Sequence, residues 1–158
     1  AIGDVSLPAT PSNANKMKEL EWMVGNWVDE DENATIETTC SWTPNQAFLR
    51  RSFKIAIQNR VDLAGLQVIG WDADAEMFRS WIFDSAGAFG RDEWSKEGDR
   101  WIVESAGVLF GGQKSSAVRI ITPIDDDSFT LEAVDREVDG ELLPAIDKVT
   151  VVRQTPTN

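Results

Sequence analysis

Two arginines stand where a strand would place apolar side chains. From Phe48 onward, Leu49, Arg51, Phe53, Ile55 and Ile57 alternate onto one face, and further on Met77, Arg79, Trp81 and Phe83 do the same. An inward guanidinium needs a partner. One candidate is an internal carboxylate such as Glu37, Glu104 or Asp135. The other is the acidic headgroup of a ligand, both of whose oxygens a guanidinium bonds at once. Seven tryptophans are the strongest compositional oddity. Trp42, Trp71, Trp81, Trp94 and Trp101 sit in or at the ends of strand patterns. There they either wall a pocket for a flat apolar molecule or fill the interior. The candidate ligand-binding set is Trp42, Arg51, Trp71, Arg79, Trp81, Trp94, Trp101 and Glu104.

Catalysis has little to build on. The 158 residues include no histidine and no tyrosine, which removes the commonest general base and the Ser-His triads. Asp92 and Glu93 are adjacent in a strand pattern, so they point to opposite faces and cannot share a site. Glu93 across a hairpin from Glu104 is unspecific. Asp29-Glu30-Asp31-Glu32 and Asp125-Asp126-Asp127 lack the ligand spacing of a dedicated Ca²⁺ loop and read as solvated turns. Gly111-Gly112-Gln113-Lys114-Ser115 lacks the upstream glycine of a phosphate-binding loop and reads as a hairpin turn. A single cysteine, Cys40, rules out an internal disulfide and a Cys-based zinc site. It reads as a small buried hydrophobe. No catalytic residue, metal or cofactor is assigned.

The elements that position these side chains are mostly strands. Leu20, Met23, Val24 and Trp27 recur at helical spacing, predicting a short helix over 15–24. Asn13 or Asn15 is available as its cap, and Gly25 as its stop. Residues 1–14 carry Pro8, Pro11, Ser12 and Asn13 and read as a loose arm or linker, leaving 15–158 as one domain. A strand opens at Trp27, and patterns follow at 35–43, 48–58, 63–71, 77–84, 89–96, 101–110, 114–122, 129–138 and 146–153. Gly, Asn, Pro or Asp turns separate them. Every connection is short enough for a hairpin, so an antiparallel up-and-down order is simplest. About 8–10 strands in that order are most stable as a closed barrel, which has no exposed edges. The helix then caps one end. An immunoglobulin-type sandwich would need long crossovers that are absent.

A net charge of −12 argues against nucleic acid and against an anionic membrane surface. No run is long and apolar enough to span a bilayer as a helix. The chain begins at Ala1 rather than Met, as a processed or trimmed product does.

The pattern Leu20-x-Trp22-x-x-Gly25-x-Trp27 resembles the opening of lipocalin-like and nitrobindin-like calycin barrels. The segment Gly70-Trp71-Asp72 … Phe78-Arg79-Ser80-Trp81-Ile82-Phe83-Asp84-Ser85-x-Gly87 resembles a hairpin of uncharacterised bacterial calycin-like proteins. Glu141-Leu142-Leu143-Pro144 and Val149-Thr150-Val151-Val152-Arg153 are similar to the ends of planctomycete-type proteins. In those, the domain often follows an NTF2-like (ketosteroid-isomerase-like) domain and a signal peptide, which implies a periplasmic or secreted location. The resemblance covers about residues 16–153. It implies an antiparallel calycin-like barrel in which Arg153 stacks across Trp27. Nitrobindin-type barrels hold haem through a histidine, and this chain has none, so His ligation of haem is excluded.

These observations lead to a non-catalytic domain that binds a small hydrophobic or amphipathic ligand inside the barrel, with carboxylate-bearing molecules among the candidates. The alternative is an accessory domain with a packed core that homodimerises or supports a linked NTF2-like domain. An enzyme using Asp or Glu as acid or base is the third reading.

Overall fold

A computed structural model describes residues 10–30 and 34–155. Residues 1–9 of the expected arm lie outside the described residues, as do Asp31 and Glu32 of the acidic stretch. The described part of the arm is held down. Asn45 Nδ2 donates to the Thr10 carbonyl at 2.6 Å, and Ser12 Oγ donates to the Asn45 carbonyl at 2.8 Å.

The expected helix is present in a tighter form. One α-helical turn, α1 (Ala14–Met17), runs on as a 3-10 stretch over Lys18–Met23. Asn13 holds the N-cap position without a side-chain cap bond. Met17, Leu20 and Met23 are spaced by three, so a three-residue turn stacks them in one stripe, and all three are buried. Gly25 then has φ of 130°, and a Cβ there would lie 2.3 Å from Arg153 Nη1. Backbone conformation and space both demand glycine.

Eleven strands follow: β1 (Gly25–Glu30), β2 (Ala34–Trp42), β3 (Leu49–Ile57), β4 (Arg60–Asp72), β5 (Met77–Asp84), β6 (Phe89–Glu97), β7 (Arg100–Val108), β8 (Lys114–Asp125), β9 (Ser128–Val138), β10 (Glu141–Leu142) and β11 (Ile146–Arg153). From β1 to β9 each pairs antiparallel with the next where the chain is described. β9 also pairs with β11, and β11 with β1. Ten strands therefore close a barrel, and β10 lies outside the ring as an extension of β9. This is the up-and-down barrel the turn spacing predicts, and it is compatible with a calycin-like fold. Only β10 has no counterpart in the sequence patterns. Two residues are too few to show a period.

The interior has two halves. On the helix side, the 3-10 stripe packs with Cys40, Leu49, Ile69, Phe78, Trp94, Trp101 and Val103, and Trp42 and Trp71 lean against this cluster. Its rings interlock edge to face: Trp71–Phe78 at 4.9 Å, Phe78–Trp101 at 5.7 Å and Trp94–Trp101 at 6.1 Å between centroids. The far half is open.

Closure depends on a short seam. β1 and β11 are matched at Trp27↔Arg153 and Val28↔Val152. Arg153 stacks 4.2 Å over the Trp27 ring, as expected. Its guanidinium also donates to the carbonyls of Val24, Trp22 and Asp126, and Trp27 Nε1 donates to the Met23 carbonyl at 2.8 Å. Replacing Arg153 by Met should therefore lower stability by about 2–3 kcal/mol, from the lost cation–π contact and carbonyl bonds. Urea unfolding measures this, and an unchanged midpoint would show that the seam does not need the guanidinium.

Candidate functional site

Six consecutive strands each send one polar residue inward where the packed half ends: Arg51 on β3, Gln67 on β4, Ser80 on β5, Asp92 on β6, Ser105 on β7 and Arg119 on β8. Register brings them together, with Arg51 opposite Gln67, Ser80 opposite Asp92 and Asp92 opposite Ser105. The hydrogen bonds run through them in order. Arg51 Nε donates to Gln67 Oε1 at 2.7 Å. Gln67 Nε2 lies 3.0 Å from both Ser80 Oγ and Asp92 Oδ2. Ser80 Oγ donates to Asp92 Oδ2, Ser105 Oγ donates to Asp92 Oδ1, and Arg119 Nη1 donates to Ser105 Oγ at 2.7 Å. Trp94 Nε1 reaches up from the packed half to Ser80 Oγ at 2.9 Å.

Asp92 is 4% exposed, and both of its oxygens are occupied by donors. It is the one carboxylate of the network, set between two guanidiniums that reach it through Gln67 and Ser105. Arg51 also stacks 4.6 Å over the Phe53 ring. Phe53 in turn lies against Gly65, where a Cβ would sit 2.1 Å from its Cζ. Burial lowers the Arg51 pKa, and repulsion from Arg119 adds to this, while Cys40 and Asp92 oppose it.

Above this floor lies a cavity of about 370 Å³, at the small end of ligand pockets. Asp92, Ser105 and Arg119 form its polar base, Ser115 stands higher on β8 opposite Gly107, and Phe53, Ile82, Ala117, Val108, Leu109 and Leu143 form its apolar walls. Gly90 and Gly107 face each other across β6 and β7 and leave that wall bare. A Cβ at either would come within 2.8 Å of a backbone oxygen. Asp84, Arg136 and Glu137 stand near the rim. Asp84 Oδ1 accepts the Ala86 and Ala88 amides, and Arg136 Nη1 donates to the Pro144 carbonyl.

The residues singled out from the sequence separate into three groups. Arg51 points inward, as expected, but its carboxylate is Asp92. Glu37 and Glu104 are exposed on the outer face, and Asp135 is exposed at a β9 irregularity. Trp42, Trp71, Trp94 and Trp101 belong to the packed half and do not line the cavity. Arg79 and Trp81 face the opposite way from the expectation. Phe78 and Ser80 are the buried residues of β5, while Trp81 is 43% exposed. The stretch is apolar on both faces, so alternation alone did not decide its orientation. Charged partners decide it: Arg79 bonds Asp72 at 2.8 Å and Glu93 at 2.9 Å on the outside. The inference that Asp92 and Glu93 point apart is correct. Gln67, Ser80, Asp92, Ser105 and Arg119 were missed as a set. For Arg119 a signal existed, because Ala117, Arg119 and Ile121 alternate as Leu49, Arg51 and Phe53 do. Among the described residues no cluster of metal-ligating side chains is present.

Cys40 lies beneath the network, opposite Arg51. Burial pushes its thiol up to about 11 from 9.0, against the pull of Arg51 and Arg153. A raised thiol pKa contributes stability that is complete below pH 9 and lost as pH rises toward 11. That loss amounts to about 2–3 kcal/mol. Cys40→Ala should remove this step from an alkaline stability profile, and a profile unchanged in shape would refute it. Independently, Asp92→Asn should leave two interior guanidiniums without a counter-charge and cost about 2–4 kcal/mol in urea unfolding. A neutral effect would mean that Asp92 does not hold the floor together.

A scan against protein-family models finds no match for this chain, and a search of curated proteins finds none either.

Proposed function

We propose that this domain binds a small hydrophobic or amphipathic molecule in the open half of its barrel, without catalysing a reaction on it. The observation that carries this reading is the division of the interior. A filled core accounts for Trp42, Trp71, Phe78, Trp94 and Trp101, yet a cavity of about 370 Å³ remains above a hydrogen-bonded polar floor. A protein with no use for the space would gain by filling it, since buried apolar area stabilises by roughly 25 cal/mol per Å². Within the floor Asp92 is held by Ser80, Ser105 and Gln67, so its carboxylate serves the network, while Arg119 keeps donors toward the cavity. Kinship with calycin-like bacterial proteins that carry an NTF2-like domain is part of the same proposal, as is a periplasmic or secreted setting.

A second reading has its own support on the outer wall. Leu66, Trp81, Phe83 and Phe89 are exposed on neighbouring strands β4, β5 and β6, with Leu66, Phe83 and Phe89 in one cross-strand row. An accessory domain that dimerises, or that seats a linked domain, would use such a face.

Displacement of an environment-sensitive apolar dye separates the two. Decanoate or 1-decanol should displace the dye from the native chain. Ala117→Phe, which fills the cavity from β8, should weaken displacement at least about tenfold, the cost of excluding part of the ligand from its pocket. Trp81→Ser should leave it unchanged. Displacement lost with Trp81→Ser but kept with Ala117→Phe would favour the outer face, as would a dimer in light scattering that Trp81→Ser dissociates.

A further inference from the structure

We infer that the cavity selects a singly charged carboxylate amphiphile, bound head-down with its carboxylate on Arg119. The inference rests on the ligand-binding reading above and adds the chemical class of ligand and the residue that reads it.

Donors and acceptors at the floor do not balance. Asp92 is largely satisfied, with Ser80 and Gln67 bonding Oδ2 and Ser105 bonding Oδ1. Arg119 has the opposite character. Among the described residues one of its five N–H donors is bonded, to Ser105 Oγ, and the side chain is exposed at the cavity base. Charge is unbalanced in the same sense. Arg51 and Arg119 carry two positive charges and Asp92 one negative, so the network holds one positive charge in excess. A second acid on the ligand would find no matching cation at the floor. It would meet Asp84 and Glu137 at the rim, where Arg136 is the single opposing charge. Those rim acids also disfavour an anion at the mouth, so the head belongs at the base. The apolar remainder then runs along Val108, Leu109 and Leu143 toward solvent. A guanidinium fork fits the two oxygens of a carboxylate better than it fits an alcohol or an amine.

Matched decyl amphiphiles test this by calorimetry on the full chain: decanoate, 1-decanol and decyltrimethylammonium. Decanoate should bind at least tenfold tighter than 1-decanol, and the ammonium weakest. Arg119→Met should bring the decanoate-to-decanol ratio to within threefold, while Arg119→Lys, which keeps the charge and loses the fork, should keep an intermediate ratio. The native chain also gives a reading that needs no variant. Raising salt from about 50 to about 500 mM should weaken decanoate several-fold and leave 1-decanol unchanged. Equal affinities for decanoate and 1-decanol, or a preference that survives Arg119→Met, would overturn the assignment to Arg119 and leave the cavity reading standing. Binding of none of the three would overturn both.

Discussion

Closing a sheet into a ring means that its first and last strands must find each other, and here that junction is short. The matched residues of β1 and β11 include Trp27 and Arg153, and the guanidinium does more than stack. It ties the end of the 3-10 stretch and the β8–β9 turn to the last strand of the chain. Residues 129 and 131 positions apart are thereby joined through one side chain. The position of β1 sets β2, β2 sets β3, and so on round the ring. The inward placement of Arg51 and Asp92 thus depends on the contact that closes the ring.

The polar layer is a different kind of constraint. Burying a carboxylate costs several kcal/mol, and hydrogen bonds to a charged group return about 1.5–3 kcal/mol each. Three such bonds to Asp92 match the cost without a large surplus. Its effect is geometric. It fixes Ser80, Ser105 and Gln67 in single orientations and so gives the cavity a rigid base. It also separates the dry aromatic half from the open half, with Trp94 Nε1 linking the two.

The barrel was legible in the sequence because its signals are local. Turns of Gly, Asn and Asp recur between β-branched runs, and β5 and β11 match their predicted limits residue for residue. The Trp27–Arg153 stack was legible through a resemblance. The floor was harder to read, because it is made by register. Asp92 looks like half of an unremarkable acidic pair until β5 and β7 bring Ser80 and Ser105 beside it. The orientation of β5 failed for a related reason. With Phe78 and Ile82 on one face and Trp81 and Phe83 on the other, apolar content cannot choose. Asp72 and Glu93, which anchor Arg79 outside, come from neighbouring strands.

One strand carries both halves of the interior, two residues apart. On β7, Val103 lies in the packed cluster and Ser105 in the floor, with Gly107 beyond it; on β6 the sequence is Trp94, Asp92, Gly90. The packed core and the hollow space are thus encoded at separate positions of the same elements. A change in the packed half removes buried area and is felt by the whole fold. A change at Ala117 or Ser115 alters an already hollow space. The lower wall thus carries the packing, while positions facing the hollow space, Gly90 and Gly107 apart, can change size or polarity at little packing cost. Reshaping that space therefore does not first require spare stability.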